Sequence, residues 1–463
     1  MRRPFFLGLA VALYAAALAA CGGAEEAVPA LETPGATPAA GTVSIDFWHS
    51  ETAANLEALE RLVARFNASQ DEVRVQPAFQ GSGEDAVVKL LASLRSDQAP
   101  AIALLAQVDT RRIIDSGAVT PLQDFMDQEG YDLSDLDERA VRSYAEQDRL
   151  WGMPFSVIVP LLWYNKVIFR EVGLDHEVTP RDLEELRRYS EKILKRDASG
   201  QLVRSGIAID ILFWLEYALA EHGELFVDRD NGREGRATKV LFYNDTGRWF
   251  FQWWHDMIDE GLALNVGRNP TAVEGALAMA TGRAAMTFGA SNALRSVVNA
   301  LEAAGAAAEG IEIGVGRLPG VPGGTGASLL QSSGLWVFRQ RSEQEQEAAW
   351  KFIKWLIEPE QQAEWFAGSG YLPVSRSSLD LPAAREVVAR YPLFRVALDL
   401  YLNAPATPAT LGALLGPHRQ VQEFVIQAVE QMLAGAKDPL PALEEAAARS
   451  NQAITEYNQR VGD

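Results

Sequence analysis

The segment Asp228 to Gly232, Asp-Arg-Asp-Asn-Gly, begins like a loop that wraps a calcium ion, with oxygen ligands at alternate positions. Its glycine comes one place early and no glutamate closes it, so the segment reads as a β-turn. Gly314-Val315-Gly316 starts a dinucleotide fingerprint but lacks the third glycine in register. The five histidines are scattered, with no pair spaced to put two imidazoles on one helical face, which argues against a zinc site. A phosphate-cradling Gly-x-x-x-x-Gly-Lys-Ser/Thr loop, a His-Glu-x-x-His helix and a Gly-x-Ser-x-Gly elbow are all missing. Carboxylates are plentiful, so an exported glycoside hydrolase with two facing acids stays open on inventory, although most of these acids fall on exposed helix faces. A scaffold or receptor without a ligand is the other alternative. No cofactor is implied.

The charge balance narrows the partners. A formal net charge of −20 repels phosphate backbones and anionic headgroups, which excludes nucleic acid. Arg2 and Arg3 precede an uncharged run, Pro4 to Ala20, too short for a convincing span and laid out like a secretory signal. The run ends in Leu18-Ala19-Ala20-Cys21-Gly22, which resembles a lipobox, with Cys21 as the acylated residue after cleavage; the alternative is a plain signal peptide with an incidental cysteine. Cys21 is the only cysteine, so the folded part has no disulfide and no thiolate metal site, and its stability must come from its core. Residues 22–41, rich in Pro, Ala, Gly and Glu, read as a tether. The expected location is extracytoplasmic, lipid-anchored at the cell membrane. The more than 400 residues that follow the leader, in a chain 48% hydrophobic, suffice for two domains.

The elements that would position a site alternate. An apolar-alternating strand, Val43 to Trp48, leads through the turn His49–Thr52 to a helix with Leu56, Leu59, Leu62, Val63 and Phe66 on one face. A strand around Val73 and Val75, a polar turn from Gln80 to Glu84, a helix bearing Val87, Leu90, Leu91 and Leu94, and the buried-type run Ala101 to Ala106 follow. Such alternation predicts an α/β fold with a mainly parallel sheet, whose ligand atoms gather beyond the carboxyl ends of the strands. Met153 to Gly173 is strand-like but broken by Pro154 and Pro160, which predicts a crossing from one lobe to another. Beyond Thr179 the chain reads as mostly helical; Phe213, Trp214 and Tyr217 form one aromatic group, and Trp249 to Ile258 forms a denser one read as a buried helix.

Phe47-Trp48-His49-Ser50, Ala99-Pro100-Ala101-Ile102, Pro154-Phe155, Tyr164-Asn165-Lys166, Gly173-Leu174-Asp175, Ala285 to Asn292 and Gly368-Ser369-Gly370-Tyr371-Leu372-Pro373-Val374 give the chain a family resemblance. In order and spacing it is similar to the extracellular solute-binding proteins of ABC importers, in the branch that includes glycerol-3-phosphate- and maltose-binding proteins. The resemblance covers the chain from Val43 onward. It implies a type II periplasmic-binding-protein fold of two lobes, each a mainly parallel sheet flanked by helices. The N-terminal lobe would comprise 42–155 and 319–358, and the C-terminal lobe 156–318 and 359–463, with hinges near Phe155, Leu318 and Pro359. It implies a monomer that performs no chemistry, closes on a solute and docks on the permease subunits of the importer.

Carried over position by position, the N-terminal lobe would offer His49, Ser50, Glu51, Gln80, Ser82, Glu84, Gln107, Asp109 and Ser332. The C-terminal lobe would offer Trp214, Ser291, Asn292 and Tyr371. Amides, carboxylates and an aromatic face suit a sugar or polyol. The sequence departs from the glycerol-3-phosphate pattern: Gly83 replaces a tyrosine, Gln107 a glutamate, Ile158 a serine, and Leu414 the arginine that meets the phosphate. His418 and Arg419 are the nearby candidates to replace that arginine. The expected solute is a neutral sugar or oligosaccharide ahead of glycerol-3-phosphate, with a glycerophosphodiester as runner-up.

Overall fold

The structure, a computed structural model, describes residues 41–212, 214–268, 273–305 and 310–462. The expected leader, Cys21, the tether apart from Gly41, and Phe213 lie outside the described residues. The strands of the first third are β1 (Val43–His49), β2 (Val73–Phe79), β3 (Ile102–Ala106), β4 (Val119–Thr120), β5 (Ala145–Glu146), β6 (Arg149–Leu150) and β7 (Met153–Ile158). Then come β8 (Pro160–Asn165), β9 (Lys195–Arg196), β10 (Leu202–Ile209), β11 (Ala263–Asn265), β12 (Ala284–Ala290) and β13 (Ile313–Arg317). β14 (Gln331–Phe338) and β15 (Leu372–Pro373) complete them.

The chain divides into two compact units. The N-terminal unit runs to Val157 and includes Gln331–Ala389; the C-terminal unit is Ile158–Leu330 with Arg390 onward. The N-terminal unit's sheet has the order β15-β7-β14-β3-β1-β2, with β4 on β14. β1 lies parallel to β2 and β3, whereas β14 runs antiparallel to β3. The other sheet, β11-β10-β12-β8-β13, has β10 parallel to β11 and β12, and β8 antiparallel to both β12 and β13. In each sheet a parallel core built by helical crossovers is joined by an antiparallel strand, β14 or β8, that is the first to enter its unit after a crossing.

Apolar periodicity accounts for the packing. The helix Ala53–Ser69 buries Leu59, Leu62, Val63 and Phe66, and Phe66 and Phe47 pack against Phe352 at centroid separations of 4.8 and 5.7 Å. The helix Asp245–Asp259 buries Phe250, Phe251, Trp253 and Trp254, the buried helix its composition predicts. Every residue of β8 is buried, and Pro160 takes its first position, where a missing N–H is tolerated. Among the described residues, no helix is long and apolar enough to cross a membrane.

Two expected boundaries move. The second crossing falls at Leu330, not after Leu318, and the third at Ala389, not Pro359. Pro359 opens the helix Pro359–Ser369, where its fixed φ suits the first turn. That helix and the strand after it belong to the N-terminal unit. β15 pairs with β7, and Gln362 donates to Phe155 O and accepts from the Val374 N–H. In sequence, a proline that starts a helix looks the same as one that marks a crossing. Tyr371 therefore belongs to the N-terminal unit rather than the C-terminal one.

Candidate functional site

In the N-terminal unit the parallel strands deliver polar groups at their carboxyl ends. His49, the last residue of β1, is 2% exposed, and its Nδ1 has no hydrogen-bond partner among the described residues. Its ring lies between Phe47 and Phe79, at 5.9 and 6.2 Å, and burial pulls its pKa down to about 4, so it is a neutral imidazole at physiological pH. Ser50 and Glu51 follow, half-buried; desolvation raises the Glu51 carboxyl above its ordinary range, partly opposed by the Asn55 side chain. Gln80 donates its N–H to His49 O, tying the second turn to the first. Ser82 caps the helix Gly83–Leu94, accepting from the Asp85 N–H, and Glu84 lies in the first turn of that helix, where an acid is favoured.

After β3, Gln107 and Asp109 form a short turn, and Asp109 is buried. Ser332 on β14 donates to Gln107 Oε1 at 3.0 Å and lies 3.1 Å from the Tyr144 hydroxyl. The hydroxyls of Ser156 and Ser333 meet at 2.5 Å on the adjacent strands β7 and β14. Burial pushes the Tyr144 phenol far up, so it acts as a hydrogen-bonding hydroxyl only. Gly334 allows this arrangement, since a Cβ there would stand 2.6 Å from the Tyr144 ring. Tyr371 is half-buried, stacked on Trp365 at 5.8 Å.

In the C-terminal unit, Trp214 opens the helix Trp214–His222. Its ring meets Phe288 edge-on at 5.1 Å and Tyr217 at 5.5 Å. β12 carries Phe288 and ends in the turn Ser291–Ala293. Ser291 is fully buried and exchanges two bonds with Val159, its Oγ accepting from the Val159 N–H and its own N–H donating to Val159 O. Its main work is to pin the start of the crossing strand. Asn292 beside it is half-buried.

The segment proposed as a β-turn is instead a left-handed turn: Arg229, Asp230 and Asn231 have φ of 56°, 54° and 57°. Such a turn costs about 1–2 kcal/mol per residue, less for Asp and Asn, and Asn231 offsets it. Its Oδ1 accepts from the N–H groups of Phe226 and Val227, and its Nδ2 donates to Pro408 O. Asp228 is taken up by Thr238 and Lys239. Among the described residues, no group of three or more His, Cys, Asp or Glu is placed to hold a metal.

The left-handed turn grips the loop that carries Leu414. Asn231 O accepts the N–H of Leu414, whose side chain is buried, and Arg233 donates to the carbonyls of Leu411 and Gly412. Ala413 donates its N–H to Glu216, whose other oxygen stands 3.0 Å from His418 Nε2. Burial opposes ionisation of Glu216, but His418, the Ala413 N–H and Arg233 outweigh it and hold the carboxyl below its usual range. His418 is thus paired with a buried carboxylate. At the far end of the same helix, Glu221 is buried with neither carboxyl oxygen bonded among the described residues. Burial, partly opposed by Arg317, pushes its pKa up to about 8.

The sequence profile of bacterial extracellular solute-binding proteins matches residues 61–395. The sn-glycerol-3-phosphate-binding periplasmic protein UgpB of Shigella flexneri serotype 5b (strain 8401) is 28% identical over 430 residues, covering 91% of this chain and 94% of that one. Among solved structures, the cyclic alpha-maltosyl-1,6-maltose binding protein of Arthrobacter globiformis superimposes with a TM-score of 0.71 at 25% identity, covering 90% of this chain and all of that one. UgpB of Mycobacterium tuberculosis, solved with glycerophosphocholine, gives a TM-score of 0.73 at 21% identity, over 90% of this chain and 99% of that one.

Proposed function

The chain belongs to the bacterial extracellular solute-binding protein family and serves as the solute-binding protein of an ABC importer, not an enzyme; from that premise we propose that its solute is a neutral sugar or oligosaccharide. The observation that carries this reading is the state of the loop before the helix His418–Leu433. Leu414 stands where glycerol-3-phosphate binders place an arginine, its side chain is buried, and its N–H is spent on Asn231. His418 is committed to Glu216. A phosphate dianion would have to rely on Arg419, the remaining candidate, and without a charge-assisted partner would leave a large desolvation cost uncompensated. Hydroxyl groups need only neutral donors and acceptors, and His49, Gln107, Ser332, Tyr144 and Asn292 are of that kind.

The proposed contacts are His49, Ser50, Glu51, Gln80, Glu84, Gln107, Asp109, Ser332 and Tyr371 in the N-terminal unit, with Trp214 and Asn292 in the C-terminal one. Ser82 and Ser291 act one step removed, as a helix cap and a strand pin. A glycerophosphodiester is the second reading, favoured by the fold likeness to a protein solved with glycerophosphocholine. Calorimetric titration with maltotriose, glycerol-3-phosphate and glycerophosphocholine tests the order. Tight binding of glycerol-3-phosphate with no heat from the sugar overturns it.

We also propose that an acyl group on Cys21 holds a monomeric protein at the membrane. Cys21→Ser should release it into the soluble fraction, and retention in the membrane fraction would refute the anchor.

A further inference from the structure

Asp210 follows β10 and is 4% exposed. Its carboxyl accepts the indole N–H of Trp214, with Nε1 2.7 Å from Oδ1, and the same Nε1 lies 3.1 Å from the carbonyl oxygen of Asp210 itself. The indole donor would therefore be satisfied by the backbone alone. The carboxyl is redundant as an acceptor, and it is costly: burial pushes its pKa up to about 7, with only the Trp214 indole and its own backbone N–H pulling back. A leucine would fill the space without that cost. What the second acceptor adds is direction. An N–H held by one oxygen can still let the ring pivot, whereas one held by two oxygens of a single residue keeps the ring in one plane. Phe288 and Tyr217 pack against the same ring.

We propose that Asp210 is a positioning residue for solute recognition, fixing the plane in which the Trp214 indole meets the solute through its hydrogen bond to Nε1. This rests on the reading that Trp214 is a solute contact. Sequence reasoning picked out Trp214 and passed over Asp210, four residues earlier.

Two arms of one experiment separate the claims. Protein labelled with 5-fluorotryptophan, with the Trp214 resonance assigned by Trp214→Phe, is examined by fluorine NMR without solute. Native protein and Asp210→Asn, which keeps a carbonyl acceptor, should each give one sharp Trp214 line. Asp210→Leu should give a broadened or doubled line with its thermal unfolding midpoint unchanged or raised. A single sharp line at the native shift in Asp210→Leu overturns the proposal.

In the second arm maltotriose and glycerophosphocholine are titrated into the same proteins. For the probe that native protein binds, Asp210→Leu should weaken binding about tenfold, the equivalent of one hydrogen bond, while Asp210→Asn stays near native. Equal loss in the two variants also overturns the proposal. If Trp214→Phe binds that probe as tightly as native protein, the solute-contact reading fails instead. If neither probe binds native protein, the solute class is wrong and the NMR arm alone decides the role of Asp210.

Discussion

In the N-terminal unit burial keeps His49, at the end of β1, neutral; in the C-terminal unit it disfavours the charge of the Asp210 and Glu221 carboxyls. Burial does this in both, and because it penalises the charged form it moves the base down and the acids up. The price appears as opposite responses to pH. His49 has a folded pKa of about 4 against 6.5 for the free group, so the unfolded chain takes up the proton first, and stability from this site is lost as pH falls from 6.5 towards 4. Asp210 and Glu221 have folded values of about 7 and 8 against 3.8 and 4.5, so the folded chain keeps protons that the unfolded one has released. Stability from these two is present at low pH and lost as pH rises through that window.

Asn231→Ala should have the largest effect, about 3–5 kcal/mol. It removes three side-chain hydrogen bonds and puts alanine at a left-handed φ. Urea unfolding measures it, and a loss below about 1 kcal/mol would show that the amide does not hold the turn. Glu221→Gln should raise stability at pH 8 by about 3 kcal/mol and flatten the slope between pH 5 and 8, at about 1.4 kcal/mol for each pKa unit removed. An unchanged slope would locate the titration elsewhere. His49→Gln should flatten the opposite limb, its stability relative to native protein being roughly 2 kcal/mol more favourable at pH 5 than at pH 8. If both variants shift the same limb, the contrast between the units fails. Tyr144→Phe should cost about 1 kcal/mol and weaken solute binding a few-fold, because the Ser332 hydroxyl keeps only Gln107.

The sequence is most legible where a pattern repeats. Apolar spacing locates the helix Ala53–Ser69 and the aromatic helix Asp245–Asp259, and the prolines at 154 and 160 flank the division between the units at Val157 and Ile158. It is least legible where one residue type serves two geometries. Pro359 starts a helix as readily as it breaks a strand, and that ambiguity moved Tyr371 into the wrong unit. Asp228 to Gly232 fits a turn by composition, yet its left-handed coil is held by the Pro408 carbonyl, 177 residues from Asn231. Tyr144 and Asp210 carry no local signal at all. Gly334 was the available hint of the first, since a glycine inside a buried strand marks close approach.

The interleaving of the two units along the chain governs when either can be completed. β14, which pairs with β3, is made only after Ile158–Leu330 has been made, and the helices His418–Leu433 and Pro439–Val461 come last although they pack in the C-terminal unit with the helix Asp245–Asp259. Contacts so distant in sequence form slowly. A polypeptide emerging N-terminus first therefore has no finished unit to lock until nearly all of it has appeared. A chain stopped at Leu330 should leave both units unclosed, a state that protease digestion would reveal as wholly degradable.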